Sequence, residues 1–246
     1  MPDLKLSPTR VQVFQRCKQR YHWTYDEKGE QPTSSQEALV RGSAFHEGMA
    51  AYFLDGDWQD IASAMWMELS GKTGLLDEQQ LEEFLLACSV LRSYIAQDRE
   101  EWAVEGVEEW AEGNWVSPQG DTISLLGKWD LIVTSRGRRW IVDHKFSKNT
   151  SNGKVYDYSL QAGMYLLQAE LAGKEVDGVI FNLINYKTGK VQKKIVTRSK
   201  KFLRNLREEL ENVSREMQNY IPVRSFSHTC PWECPFAVQC LERMEK

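Results

Sequence analysis

Apolar residues recur with a helical period along the first 100 residues of the chain. The stretch from Leu6 to Tyr25 begins like a helix, with Ser7 as a suitable N-cap and Pro8 at the first helical position. Three further helices are predicted, over residues 36–54, 57–69 and 78–97. The N-terminal part of the chain is therefore predicted to be mainly helical.

The pattern changes after residue 100, where apolar and polar residues alternate as they do in strands. Strands are predicted over residues 104–116, 123–135 and 138–146, and on both sides of a turn at Thr188–Gly189. A helix over 156–173 separates these groups, and a charged amphipathic helix over 198–219 follows them. We expect one α/β domain over residues 1–246, with a helical part (1–100), an α/β core (101–220) and a cysteine-rich tail (221–246).

The composition is that of a protein with a full hydrophobic core, since 41% of the residues are hydrophobic and 27% are charged. No run of about 18 apolar residues is present, and the N-terminus lacks the apolar segment of a secretory signal. We therefore expect a cytoplasmic protein without membrane contact. The net charge is −4, but basic residues crowd positions 136–148 and 187–201, which is typical either of a nucleic-acid groove or of a solvated surface.

An acidic pair is predicted where two strands form a hairpin. A two-residue loop at Arg136–Gly137 would place Asp130 directly opposite Asp143, with their Cβ atoms about 5 Å apart. Strand alternation puts Lys145 on the same face as Asp143, whereas the side chain of His144 points to the other face. Either the charges lie in water at an exposed hairpin end, or a divalent cation such as Mg²⁺ or Mn²⁺ relieves their repulsion.

Asp130 followed by the run Ile-Val-Asp143-His-Lys145 resembles the core of the PD-(D/E)XK nucleases. The resemblance implies a restriction-endonuclease-like mixed sheet flanked by helices. It also implies that Asp130 and Asp143 bind a divalent metal ion, and that Lys145 assists the attack on a phosphodiester.

Two further motifs resemble the RecB-like subgroup of these nucleases and occur in the order found there. Gly42-x-x-x-His46 is similar to a helical motif whose histidine is a metal ligand, and the backbone carbonyl of His144 is implied as another ligand. Gln161-x-x-x-Tyr165 is similar to the motif that follows the core and helps to hold the DNA and the site. RecB-like proteins often carry an acid before the hairpin, but the spacing selects neither Glu108 nor Glu109.

The cysteines extend the resemblance to the two ends of the chain. RecB-like nucleases, including the CRISPR-associated single-strand exonucleases, hold a [4Fe–4S] cluster with one upstream and three downstream cysteines, which here would be Cys17, Cys230, Cys234 and Cys240. Three residues separate Cys230 from Cys234, where the family usually has two, so a Cys₄ zinc site remains the alternative. Cys88 lies on the apolar face of a helical pattern and is expected in the core.

The resemblance implies a metal-dependent DNA nuclease, with an exonuclease on single-stranded DNA or DNA ends as the first hypothesis. Lys148, Lys193 and Lys194 are the candidate contacts to backbone phosphates. The alternatives are a catalytically weak DNA-binding accessory protein and a zinc-stabilised interaction protein of a phage, repair or CRISPR system. The implied partners are DNA and proteins of recombination, repair or CRISPR adaptation, with a homo-oligomer possible, in a bacterial, archaeal or phage-infected cell.

Overall fold

The core of the fold is a six-stranded mixed sheet. A computed structural model describes residues 5–27, 36–71, 75–97, 102–148, 150 and 153–245. Within these residues the strands are β1 (Lys5–Leu6), β2 (Ala103–Val116), β3 (Thr122–Ser135), β4 (Arg138–Ser147), β5 (Gly178–Asn185) and β6 (Val191–Val196). The order is β1-β3-β4-β5-β6, in which β1 and β4 pair with different ends of β3, and β2 pairs with β3 along most of its length. The β1–β3 and β4–β5 pairs are parallel and the others are antiparallel.

Helices cover both faces of the sheet. They are α1 (Pro8–Arg16), α2 (Lys18–Tyr21), α3 (Gln36–Phe53), α4 (Trp58–Ser70), α5 (Glu78–Gln97), α6 (Leu160–Leu171), α7 (Lys200–Gln218), α8 (Cys230–Glu233) and α9 (Ala237–Glu245). Helices α1, α6 and α7 share one apolar core with the sheet, whereas α3, α4 and α5 form a second core on the opposite face. This layered arrangement confirms the predicted restriction-endonuclease-like α/β class.

Close packing fixes helix α3 against the sheet and against its neighbouring helices. The ring of Phe45 stacks on the ring of Phe146 in β4, with centroids 4.0 Å apart and planes 6° apart. A Cβ atom on Gly48 would meet side-chain atoms of Leu91 and Met65 at 2.7 Å, so glycine at this position permits the close approach of α4 and α5. The residue after Phe45 is His46, whose position is therefore set by core packing.

The predicted β3–β4 hairpin is confirmed. The backbone φ angles of Arg136 and Gly137 are 52° and 72°, as a two-residue type I′ turn requires. The pairs run from Ser135↔Arg138 to Leu131↔Val142, which is the predicted register. Regular pairing ends there, one residue before Asp130 and Asp143 would meet.

The alternation of β3 side chains between the two faces of the sheet is interrupted at Asp130. Trp129 and Ile132 both pack in the core beneath α6, whereas Leu131 packs in a cluster on the other face. Strict alternation would place Trp129 and Ile132 on opposite faces. The break coincides with Glu108 on β2, which lies between the pairs Val107↔Leu131 and Glu109↔Trp129 and has a φ of 54°.

Two predicted helices have different bounds in the structure, and one strand was not predicted. The first helix ends at Arg16, because Cys17 is extended with φ −161° and ψ 112°, and a short α2 and a π-helical turn over His22–Asp26 follow. The helix predicted over 156–173 begins only at Leu160, because Ser159 caps α6 and a 3₁₀ segment over Gly153–Tyr158 precedes it. Strand β1 had no signal in the sequence, because two residues are too short for a periodic pattern.

None of the helices in the described residues combines the length and apolar character that crossing a membrane requires.

Candidate active site and cysteine cavity

Strand β4 and helix α6 hold the acid and the base of the predicted motif together. The Nζ atom of Lys145 lies 2.7 Å from Oδ2 of Asp143, whose side chain is almost fully buried. Gln161 bridges the pair, since its Nε2 donates to Oδ1 of Asp143 at 2.7 Å and its Oε1 accepts from Lys145 Nζ at 2.9 Å. The amide of Gln161 therefore orients both charged groups from α6.

Tyr165 lies one helical turn after Gln161 and closes the same cluster. Its hydroxyl accepts a hydrogen bond from Nε2 of Gln161 at 2.7 Å. It lies 3.1 Å from the carbonyl oxygen of Lys128 and 3.3 Å from Oδ1 of Asp143. The i and i+4 positions put both side chains on one face of α6, which is the face that packs on the sheet.

Asp130 joins strand β4 to helix α3. Its Oδ2 atom accepts a hydrogen bond from the backbone N–H of His144 at 2.6 Å and lies 3.2 Å from Nδ1 of His46. The carboxylate therefore takes up a backbone N–H of β4 just beyond the last regular β3–β4 pair. His46 reaches it because α3 is packed directly over β4.

Glu108 completes a group of possible metal ligands that the sequence did not select. Ligand atoms of His46, Glu108 and Asp130 all lie within 4.8 Å of one another. Glu108 also pairs with Lys128, whereas the neighbouring Glu109 pairs with Lys174 at 2.5 Å. The positive φ of Glu108 turns its side chain toward Asp130, and strand periodicity gives no signal for such a backbone conformation.

The pKa values of the two acids are shifted in opposite directions. Burial alone would raise the pKa of Asp130, but the charge and hydrogen bond of His46 lower it to about 2. Burial and the nearby charge of Asp130 raise the pKa of Asp143, although Lys145 acts in the opposite direction. Burial lowers the pKa of His46, but Asp130 more than offsets this and raises it. The Asp130 carboxylate is thus an anion that attracts cations.

His144 directs its side chain away from these acids. The imidazole is buried, its Nδ1 atom lies 3.0 Å from Nδ2 of Asn182, and its ring stacks on Phe53 with centroids 5.8 Å apart. Burial lowers the pKa of His144 to about 4, so the ring is neutral at pH 7. The role of its backbone carbonyl as a metal ligand stays a prediction.

The candidate DNA-binding lysines do not form one patch. Lys193 and Lys194 are neighbours on β6 and point to opposite faces of the sheet. Lys194 pairs with Asp157 at 2.7 Å, and the Nζ atom of Lys193 lies 4.5 Å from the ring centroid of Trp102. Lys148 is exposed at the end of β4. DNA could contact all three lysines at once only if it bound to both faces of the sheet.

Four cysteines line a single cavity of about 470 Å³: Cys17, Cys230, Cys234 and Cys240. All four are free thiols. The extended backbone of Cys17 between α1 and α2 turns its side chain to the cavity. Cys230 is the first residue of α8, Cys234 follows the last residue of α8, and Cys240 lies in α9. The backbone N–H of Ser227 donates to Sγ of Cys230 at 3.3 Å. Cys88 instead packs beside the core of α3, α4 and α5.

The chain is similar to a known nuclease superfamily and to solved structures. The family model described as the PD-(D/E)XK nuclease superfamily matches residues 5–241. Among solved structures, 22 chains match this one. One is the crystal structure of SSO0001, which is 14% identical and has a TM-score of 0.44, with 96% of this chain and 85% of that chain covered. No curated protein matches the sequence. The residues matched by the family model include every candidate site residue described above.

Proposed function

Because the chain belongs to the PD-(D/E)XK nuclease superfamily, we propose that it is a Mg²⁺- or Mn²⁺-dependent deoxyribonuclease of the RecB-like subgroup. We propose further that residues 1–246 form one nuclease domain and that its substrate is single-stranded DNA or a DNA end, from which it acts as an exonuclease. The observation that carries the proposal is the bridge by which Gln161 ties Lys145 to Asp143, next to the His46–Asp130 pair.

The ligand atoms present suit a hard divalent ion. Mn²⁺ accepts a set of carboxylate oxygens together with a single imidazole. Mg²⁺ prefers a set of oxygen ligands with fewer nitrogen atoms. His46, Glu108 and Asp130 already lie close together, and Asp143 with the carbonyl of His144 would add ligands from β4. A divalent ion bound here supplies polarisation of a phosphate oxygen and a lower pKa for a bound water.

The side chains around the acids have defined tasks in this mechanism. Lys145 places a positive charge next to Asp143, where it would position the attacking water and stabilise the negative charge that develops on the phosphate. Gln161 and Tyr165 are positioning residues, because they hold the Asp143 carboxylate and the Lys145 ammonium in a fixed geometry. Lys148, Lys193 and Lys194 would contact backbone phosphates, so binding should weaken with salt.

We also propose that the cysteine cavity holds a [4Fe–4S] cluster that clamps α1 to the C-terminal tail. Zinc in a Cys₄ site is the alternative. The cysteine that lies far upstream of the other three in the sequence supports the iron–sulfur cluster, and all four line the same cavity.

A panel of end-labelled DNA tests the proposed reaction. Linear and circular substrates, single-stranded and double-stranded, are incubated with Mg²⁺ or Mn²⁺ and with EDTA as the metal-free control. We expect linear single-stranded DNA to be degraded to short products and circular DNA of the same sequence to persist. Cleavage of the circle would overturn the exonuclease assignment, and the absence of cleavage of every substrate with either ion would overturn the nuclease assignment.

A further inference from the structure

The wall of the cysteine cavity contains a buried hydrogen-bond donor that lacks an acceptor. The side chain of Trp23 is 2% exposed, lines the cavity, and packs against Phe236 with ring centroids 5.5 Å apart. The indole Nε1 atom of Trp23 is inaccessible to solvent and has no hydrogen-bond partner. Buried donors are nearly always paired in native proteins, so this indole indicates an acceptor that belongs in the cavity.

A second unpaired donor lines the same cavity from the segment before α8. The Nε atom of Arg224 is also buried without a hydrogen-bond partner. The two other arginines of the wall are already engaged, since Arg16 pairs with Glu233 and Arg20 donates to the carbonyl oxygen of Glu233 at 3.0 Å. The indole of Trp23 and the guanidinium of Arg224 are thus donors available to a bound group, and the guanidinium favours an anionic one.

The four thiols that line the same cavity define the chemistry of that group. A cluster with four thiolate ligands carries negative charge and presents sulfur atoms in several directions, all of which can accept N–H hydrogen bonds. We propose that the indole N–H of Trp23 and the Nε–H of Arg224 donate hydrogen bonds to the sulfur atoms of the cluster and raise its reduction potential. This inference rests on the iron–sulfur cluster proposed above.

The direction of the effect follows from charge. Reduction adds an electron to a group that is already negative, and N–H···S hydrogen bonds stabilise the more negative state more strongly. Loss of either donor should therefore make the midpoint potential more negative. The replacement Trp23→Phe changes no charge, and Arg224→Lys keeps the positive charge while it removes Nε. Both substitutions therefore report mainly on the hydrogen bond.

The test compares cluster-loaded proteins in a dithionite titration followed by visible absorbance. Iron and sulfide per chain are measured first in the wild type, Trp23→Phe, Arg224→Lys and the control Trp110→Phe, whose side chain is 68% exposed on β2. We expect a more negative midpoint potential in Trp23→Phe and Arg224→Lys, and an unchanged potential in Trp110→Phe. If Trp23→Phe does not bind a cluster, the midpoint potential of Arg224→Lys alone tests the proposal.

The possible failures are distinguishable. Zinc without sulfide in the wild-type protein would contradict the proposed cluster, and the inference that rests on it would be wrong as well. Full iron and sulfide in every protein, with equal midpoint potentials in Arg224→Lys and the wild type, would overturn the proposed hydrogen bonds and leave the cluster in place. Neither readout depends on DNA cleavage, so the nuclease proposal is tested separately.

Discussion

The Nδ1 atom of His46 lies 3.2 Å from the Oδ2 atom of Asp130, and this contact joins the helical part of the chain to the sheet. It brings α3, which belongs to the second core, and β3, which packs in the core with α1, α6 and α7, to the same point. The contact depends on two packing features, the stack of Phe45 on Phe146 and the close approach of α4 and α5 at Gly48. The candidate metal ligands His46 and Asp130 are therefore carried by rigid elements, which favours their accurate positioning.

Glu108 is predicted to be a metal ligand. We expect Glu108→Gln to weaken Mn²⁺ binding about tenfold or more, because an amide oxygen is a poorer ligand than a carboxylate for a hard cation. Isothermal titration calorimetry with Mn²⁺ measures the change. The matched control is Glu109→Gln, since Glu109 pairs with Lys174 instead. Equal affinities of the two variants would remove Glu108 from the ligand set.

Gln161 is predicted to act through the groups that it positions. We expect Gln161→Leu to lower kcat by about 10- to 100-fold with little change in KM, because Asp143 and Lys145 lose a shared partner that is worth about 1–3 kcal/mol. Steady-state kinetics with linear DNA measures both constants. Gln168→Leu is the control, because Gln168 lies on the same helix but bonds to Trp129. A Gln161→Leu enzyme with the wild-type kcat would contradict the positioning role.

The turn at Arg136–Gly137 is predicted to stabilise the hairpin that carries the acids. Gly137 has a φ of 72°, where a side chain is strained, so Gly137→Ala should lower the free energy of unfolding by about 1–2 kcal/mol. Urea denaturation measures this change. Gly153→Ala provides the comparison, because the nearest atom to its added Cβ would lie at 3.8 Å and its φ is not in the left-handed region. Equal stability of the two variants would argue against the strained turn.

Cys234 is predicted to bind the cluster, and Cys88 is not. We expect Cys234→Ala to lose most of its iron, sulfide and visible absorbance and to unfold more readily, because the proposed cluster would link α1 to the C-terminal tail. Cys88→Ala should keep the wild-type metal content, since Cys88 lies beside a different core. Metal analysis and absorbance spectra of the purified variants measure these outcomes. Retention of full iron in Cys234→Ala would exclude it as a ligand.

The parts of the fold that sequence predicted are those governed by local rules. The hairpin register follows from Arg136 and Gly137, since a two-residue turn fixes which residues face each other. The start of the helix that follows Ser7 was also predicted correctly, because Ser7 caps it and Pro8 takes its first position.

The missed features depend on tertiary context. Glu108 has a positive φ, and it lies beside the point where the side-chain alternation of β3 is interrupted. Neither feature produces a periodic pattern in the sequence. The helical pattern continues through Cys17, yet the backbone there is extended, so that its thiol reaches the cavity formed with the C-terminal tail. Packing and the requirements of a site override helix propensity at such positions.

The most direct test of the central claim is Mn²⁺-dependent cleavage of end-labelled linear DNA by Lys145→Met. Lys154→Met is the control, because Lys154 is an exposed lysine of the 3₁₀ segment. We predict that Lys145→Met loses activity by roughly 100-fold or more while it retains Mn²⁺ binding, since the ammonium stabilises charge in the transition state. We expect Lys154→Met to cleave at the wild-type rate. Wild-type cleavage by folded Lys145→Met would contradict the proposed active site.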